Sequence, residues 1–200
     1  MRVRLRPAYS PGRLRQVYPR QYDHTKWLDH IERVVETIKF AQRLNPAPRS
    51  IADLSCGDGA IPMAIATWAH ETHGDPVRLE LGDLVGQREW QGPIERTLPQ
   101  IPPVDLWVCS ETVEHLDDPE TVLTVGAGKA GTLLLTTPTG EIDDQNPEHY
   151  WGWDTAGVRE LLESTGWAPF ESQTWRPHVG ALYTFQFWLA RSVSEMDMVS

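Results

Sequence analysis

Residues Ile51-Ala52-Asp53-Leu54-Ser55-Cys56-Gly57-Asp58-Gly59 constrain this chain more than any other stretch. The apolar run 51–54 reads as a short buried parallel strand. It breaks at once into a turn carrying two glycines, and Ile61-Pro62-Met63-Ala64-Ile65-Ala66 then opens a helix. A strand, a glycine turn and a helix N-terminus bring backbone N–H groups close to a ligand. In an open α/β sheet this is where a nucleotide-type ligand sits. An α/β fold follows as the expectation, and the flanks must say what the turn holds.

The flanks alternate between helix and strand. Leu28, Ile31, Val34, Val35, Ile38 and Ala41 keep the spacing of one helical face, with Asp23 or Thr25 as cap and Asn45-Pro46-Ala47-Pro48 as terminator. Residues 77–81 alternate as a strand does. Gly86, Gly92, Pro93, Pro99, Pro102 and Pro103 leave little room for a helix before the strand at 104–109. Asp118 caps a helix with Pro119 at its first position, and Gly126 and Gly128 end it. A buried strand at 132–136 follows. Asp154 then caps a helix through Leu162, with Gly166 just past its end. Segments 167–174 and 182–190 read as two further strands.

Three regions result: a basic, irregular N-terminal arm over 1–22, one domain over 23–191, and a flexible tail over 192–200. Two hundred residues suit one domain with a decorated end. The chain lacks a long uninterrupted apolar run, which argues against a membrane span. Its arginine-rich start has no apolar segment after it, so a secretory signal is not expected, and two cysteines do not suggest a disulfide framework. A cytoplasmic location is the expectation. A net charge of −10 makes the whole chain a poor general polyanion binder, although Arg2, Arg4, Arg6, Arg13, Arg15 and Arg20 all precede the first acidic residue, Asp23.

Residues 53–59 resemble motif I of the class I S-adenosylmethionine-dependent methyltransferases, D-x-G-x-G-x-G, with Ser55 at the first glycine position and Gly57 and Gly59 at the others. Leu106-Trp107-Val108-Cys109-Ser110-Glu111 with Glu114-His115-Leu116-Asp117-Asp118-Pro119 resembles the family's fourth strand and the loop after it. Thr136-Thr137-Pro138 resembles its next strand end. The likeness spans about residues 25–190. It implies a Rossmann-like sheet, mostly parallel and closed by an antiparallel pair at 167–174 and 182–190, here with a shortened third-strand region whose helix is missing or reduced to a turn and whose strand survives as Pro93-Ile94-Glu95. It implies S-adenosylmethionine as cofactor, held by Asp53, Ser55, Gly57, Gly59, Asp83, Glu95 and Ser110. Asp83, with Glu80 as runner-up, would accept both ribose hydroxyls, as only an acceptor-only carboxylate can. Glu95 or the backbone of Ile94 would meet the adenine. Tyr18, Tyr22 and Trp27 are candidates to close over the cofactor.

Chemistry is expected at the ends of the fourth and fifth strands. No D/N-P-P-Y/F run stands there, which disfavours methylation of base amines. Glu111, Glu114 and His115 have spacings of three and four, so one helical turn can aim all three at one point. His149, in Asn146-Pro147-Glu148-His149-Tyr150-Trp151, can reach the same crevice. Two carboxylates and two imidazoles make a divalent-metal site for manganese or magnesium, manganese being more at home with nitrogens. The set resembles the metal ligands of the small-RNA 3′-terminal 2′-O-methyltransferases, while the Glu-x-x-Glu-His run also resembles ubiquinone-pathway O-methyltransferases. Without metal, Glu111 and His149, with Glu148, are the catalytic candidates. The leading expectation is O-methylation of a small-molecule hydroxyl. The alternatives are a metal-dependent RNA ribose 2′-O-methyltransferase and a non-catalytic binding protein that retains the fold.

Overall fold

The structure, a computed structural model, describes residues 1–139, 144 and 146–196. The arm departs from expectation. Its first residues form β1 (Arg2–Arg4), paired antiparallel with β7 (Trp151–Trp153), and Ser10 caps α1 (Pro11–Val17). Arg2 and Arg4 stack on the Trp151 ring and reach Glu120 and Asp117, so the arginines that seemed solvated are docked on the acidic body. Pro7, Pro11, Gly12 and Pro19 among the arginines pointed to an irregular segment. Ion pairs and cation–π contacts override that reading.

α2 (Leu28–Ala41) begins at Trp27 with no side-chain cap, while Asp23 caps only the turn before it. Its buried face is Arg33, Val34, Thr37, Phe40 and Ala41. Leu28, Ile31 and Val35, expected inside, are exposed. The helix is rotated because Phe40 and Ala41 dock on the sheet. β2 (Ser50–Asp53), α3 (Ala60–His73) and β3 (Arg78–Asp83) follow as the periodicity predicts.

The shortened region holds β4 (Trp90–Gln91) and the single turn α4 (Ile94–Thr97), followed by a 3-10 turn over Leu98–Gln100. The strand remnant is therefore at Trp90, and Ile94-Glu95 is helical. Pro93 fits the first-turn boundary of a helix better than a ladder, since it has no N–H to give. The remaining elements are β5 (Val104–Ser110), α5 (Pro119–Ala127), β6 (Ala130–Thr139), α6 (Thr155–Ser164), β8 (Trp167–Trp175), β9 (Thr184–Ser192) and α7 (Val193–Met196). Residues 193–196, expected to fray, form that last turn, and 197–200 lie outside the described residues, as does Gly140.

The sheet runs β4-β3-β2-β5-β6-β9-β8, parallel through β6 and antiparallel at β9 and β8. Alternation along β5 divides the core. Trp107 and Cys109 face α5 and α6, whereas Leu106 and Val108 face α2 and α3. Helices on both faces of a mostly parallel sheet bury both sides of its central strands.

Candidate functional site

β2 pairs with β3 on one side and β5 on the other, so the chain reverses direction of winding at its carboxyl end. A crevice opens at such a point. Here it is a cavity of about 320 Å3, a volume suited to small molecules. Leu54 and Ser55 follow β2 into it, Asp83 ends β3, and Ser110 ends β5.

The glycine turn is built for close approach. Gly57 has φ +54° and donates its N–H to Asp83 Oδ2 at 2.8 Å. A Cβ on Gly57 would lie 2.9 Å from the Tyr22 carbonyl oxygen and 3.0 Å from the His24 ring. The arm therefore lies on the turn. His24 fastens it through Asp58, which accepts the His24 backbone N–H at 3.0 Å and faces Nδ1 at 2.7 Å. Asp53 accepts the Ser55 N–H at 3.1 Å, and burial pushes its carboxyl up to about 8. Burial also raises Asp83. Glu80, the runner-up for the ribose, is taken at the sheet edge by Arg78 and by Trp90 Nε1 at 2.8 Å. Glu95 lines the cavity mouth in an exposed position beside buried Ile94. Leu14, Tyr18, Arg20 and Tyr22 roof the cavity from the arm, whereas Trp27 is 63% exposed and takes no part.

At the other end, Glu114, His115 and His149 bring one ligand atom each to within 4.8 Å of one another. The imidazoles are oriented by what their Nδ1 atoms meet. Nδ1 of His115 lies 2.8 Å from the Glu148 carbonyl oxygen, which can only accept, so Nδ1 carries the proton and Nε2 a lone pair. Nδ1 of His149 is bonded to the Asp144 carboxylate, with the same consequence. Burial lowers both, His149 to about 4 with help from the nearby His115. Glu114 is 1% exposed; its Oε2 accepts the Thr137 hydroxyl at 3.0 Å, while Oε1 has no hydrogen-bond partner among the described residues. Burial pushes its carboxyl up to about 7. Tyr18 donates to Glu148 Oε2 at 2.7 Å, joining the arm to this end.

Glu111 does not join the three. β5 ends at Ser110, Glu111 turns left-handed with φ +51°, and the 3-10 turn covers only Val113–His115. Spacing of three and four places residues together only on a continuous helix, and none forms here. Glu111 instead ends a one-way chain. Arg33 donates to Ser110 Oγ at 2.9 Å, Ser110 meets Thr136 Oγ1 at 2.8 Å, and Thr136 donates to Glu111 Oε1 at 3.0 Å. Burial pushes Glu111 up to about 7, against the lowering field of Arg33.

Arg33, Tyr183 and Phe185 also line the cavity, as do His24 and His30. A signal existed for Arg33 alone: it precedes Thr37 and Phe40 by four and seven positions, on the face that proves buried.

No family model and no curated protein matches the sequence. Solved structures do. A 1,6-didemethyltoxoflavin-N1-methyltransferase from Burkholderia thailandensis, with S-adenosylhomocysteine bound, matches with a TM-score of 0.64 at 16% identity, over 94% of this chain and 92% of that one. The magnesium protoporphyrin IX methyltransferase of Synechocystis PCC 6803, also with S-adenosylhomocysteine, gives 0.57 at 14% over 90% and 94%. The [4+2]-cyclase SpnF gives 0.62 at 10% over 94% and 98%. Strand order, the antiparallel closing pair and these matches across nearly the whole chain agree: it has the fold of the class I S-adenosylmethionine-dependent methyltransferases.

Proposed function

We propose that this protein transfers a methyl group from S-adenosylmethionine to a hydroxyl oxygen of a small molecule. The observation that carries the reading is the cavity's two ends: Ser55 and Asp83, beside the Gly57 turn, line one, and His115 and His149 line the other with Glu114 behind them. Ser55, Gly57, Gly59, Asp53, Asp83, Glu95 and Ser110 would hold the cofactor, with Asp83 on the ribose hydroxyls. In transfer, an acceptor lone pair forms the O–CH3 bond as the C–S bond breaks and its electrons return to sulfur. The acceptor's proton goes to Nε2 of His149, which carries a lone pair while Asp144 holds Nδ1. Alignment supplies most of the acceleration, since the sulfonium is already activated.

A divalent ion fits the same group. The unmatched Glu114 Oε1 lies 3.9 Å from Nε2 of His115, and both histidines are anchored at Nδ1 as metal-binding imidazoles usually are. Glu114, His115 and His149 would hold manganese in preference to magnesium, and Glu111 would not be a ligand. With an ion bound, the His149 lone pair would be taken, and the ion would replace that histidine as the base by easing loss of the hydroxyl proton to solvent.

The metal-capable group also supports a second reading, a ribose 2′-O-methyltransferase acting on RNA. The roof of Leu14, Tyr18 and Arg20 and the net charge of −10 favour the small acceptor. The cyclase among the similar structures keeps a third reading in view, a protein of this fold with no methyl transfer. Tritiated S-adenosylmethionine offered with small phenols and alcohols, and separately with short RNAs, tests all three. Label in a small-molecule ether supports the proposal. Label only in RNA selects the second reading, and cofactor binding without transfer to either selects the third.

A further inference from the structure

Arg33 is 3% exposed, yet none of its nitrogens lies within ion-pair distance of a carboxylate among the described residues. Arg2, Arg4, Arg43, Arg49, Arg78 and Arg159 all make such pairs, at greater exposure. A guanidinium has five donors in a fixed fork, and Arg33 spends one on the neutral hydroxyl of Ser110. Buried cations are ordinarily matched by an anion at hydrogen-bond distance. Glu111, which shares the cavity with Arg33, takes the Thr136 hydroxyl and makes no ion pair with the guanidinium among the described residues.

The location narrows what the matching anion belongs to. On that reading the cofactor end lies between β2 and β3, at Ser55 and Asp83. Arg33 is anchored by Ser110 at the end of β5, where the two halves meet, and beyond it by Phe185 of β9, whose ring lies 5.7 Å from the guanidinium carbon. From Phe185 an aromatic wall continues through Tyr183, 6.2 Å on, to His149, a further 5.7 Å. Arg33 thus stands at one end of the acceptor half and the histidines at the other.

Resting on the methyltransferase reading above, we infer that the acceptor is a hydroxylated carboxylic acid, with its carboxylate paired by Arg33, its body against the Phe185–Tyr183 wall and its hydroxyl at His149. The planar fork takes a carboxylate through two parallel bonds. A carboxylate of the cofactor offers the same chemistry from the other end, so the test must separate the two.

4-Hydroxybenzoate and its neutral amide, 4-hydroxybenzamide, are titrated into protein saturated with S-adenosylhomocysteine, by calorimetry. The acid should bind about tenfold or more tighter, as expected for one charge-assisted pair. Arg33→Gln should abolish that preference, Arg33→Lys should keep part of it, and S-adenosylhomocysteine affinity should stay within about threefold in both. Equal binding of acid and amide by wild type, including no detectable binding of either, overturns the inference whether or not the variants fold. So does a preference that survives Arg33→Gln. A loss of about tenfold in S-adenosylhomocysteine affinity in Arg33→Gln would assign the guanidinium to the cofactor's carboxylate and equally overturn it. If wild type does not bind S-adenosylhomocysteine at all, the methyltransferase reading is what fails.

Discussion

Replacing Glu114 by glutamine separates what this side chain does for the fold from what it does for the site. Its Oε2 takes the Thr137 hydroxyl, but Oε1 is buried without a partner, 3.9 Å from Nε2 of His115. A buried polar atom left unmatched costs about 1–3 kcal/mol, and more when charged. Glutamine keeps an oxygen for Thr137 and puts an amide N–H beside the His115 lone pair. Glu114→Gln should therefore raise the unfolding free energy by about 1–2 kcal/mol at pH 8 in the presence of a chelator. Urea unfolding followed by tryptophan fluorescence reads this directly. If the carboxylate serves a ligand, the gain carries a functional loss. Manganese should then raise the wild-type midpoint by mass action and leave that of the variant unmoved. A variant less stable than wild type in chelator would refute the reasoning, because Oε1 would have to be matched in the folded protein.

Two further predictions concern the scaffold. A Cβ at Gly126 would fall 2.0 Å from Cζ3 of Trp107, which is fully buried, so Gly126→Ala should cost about 1–3 kcal/mol by overpacking while cofactor binding persists; urea unfolding with and without S-adenosylhomocysteine checks both halves. Burial, with the charge of Arg33, holds His30 down to about 4 against 6.5 when unperturbed. The unfolded chain therefore binds the extra proton first, and stability that His30 contributes above pH 6.5 is lost as pH falls toward 4. Thermal unfolding from pH 7 to 4.5 should show a shallower acid decline for His30→Gln than for wild type; parallel curves would contradict it.

The strands, the helices and the glycine turn were legible because period-two and period-3.6 patterns, with glycine and proline punctuation, are local signals, whereas the sheet's arrangement and its closing antiparallel pair were legible only through the resemblance carried by motif I and the strand ends. Asp118 and Asp154 do cap α5 and α6, each accepting a backbone N–H three residues on. What escaped depends on contacts distant in sequence. The face of α2 followed its docking through Phe40 and not the apolar spacing of Leu28, Ile31 and Val35. The order of the arm comes from Trp151, Asp117 and Glu120, more than 100 residues away. At the site, Glu114, His115 and His149 met as expected, while Glu111 was lost to one left-handed residue that no spacing reveals. Arg33 was missed because a charged residue in a helix is read as solvated until its neighbours are known to be buried.

Cofactor binding is the claim on which the rest depends, and calorimetry with S-adenosylhomocysteine tests it most directly. Wild type should bind one equivalent. Gly57→Val should bind none while keeping its far-ultraviolet circular dichroism, because the branched side chain would strain a left-handed position and push into Tyr22 and His24 where they lie on the turn. Absence of heat with wild type, or undiminished affinity in a folded Gly57→Val, would contradict the account.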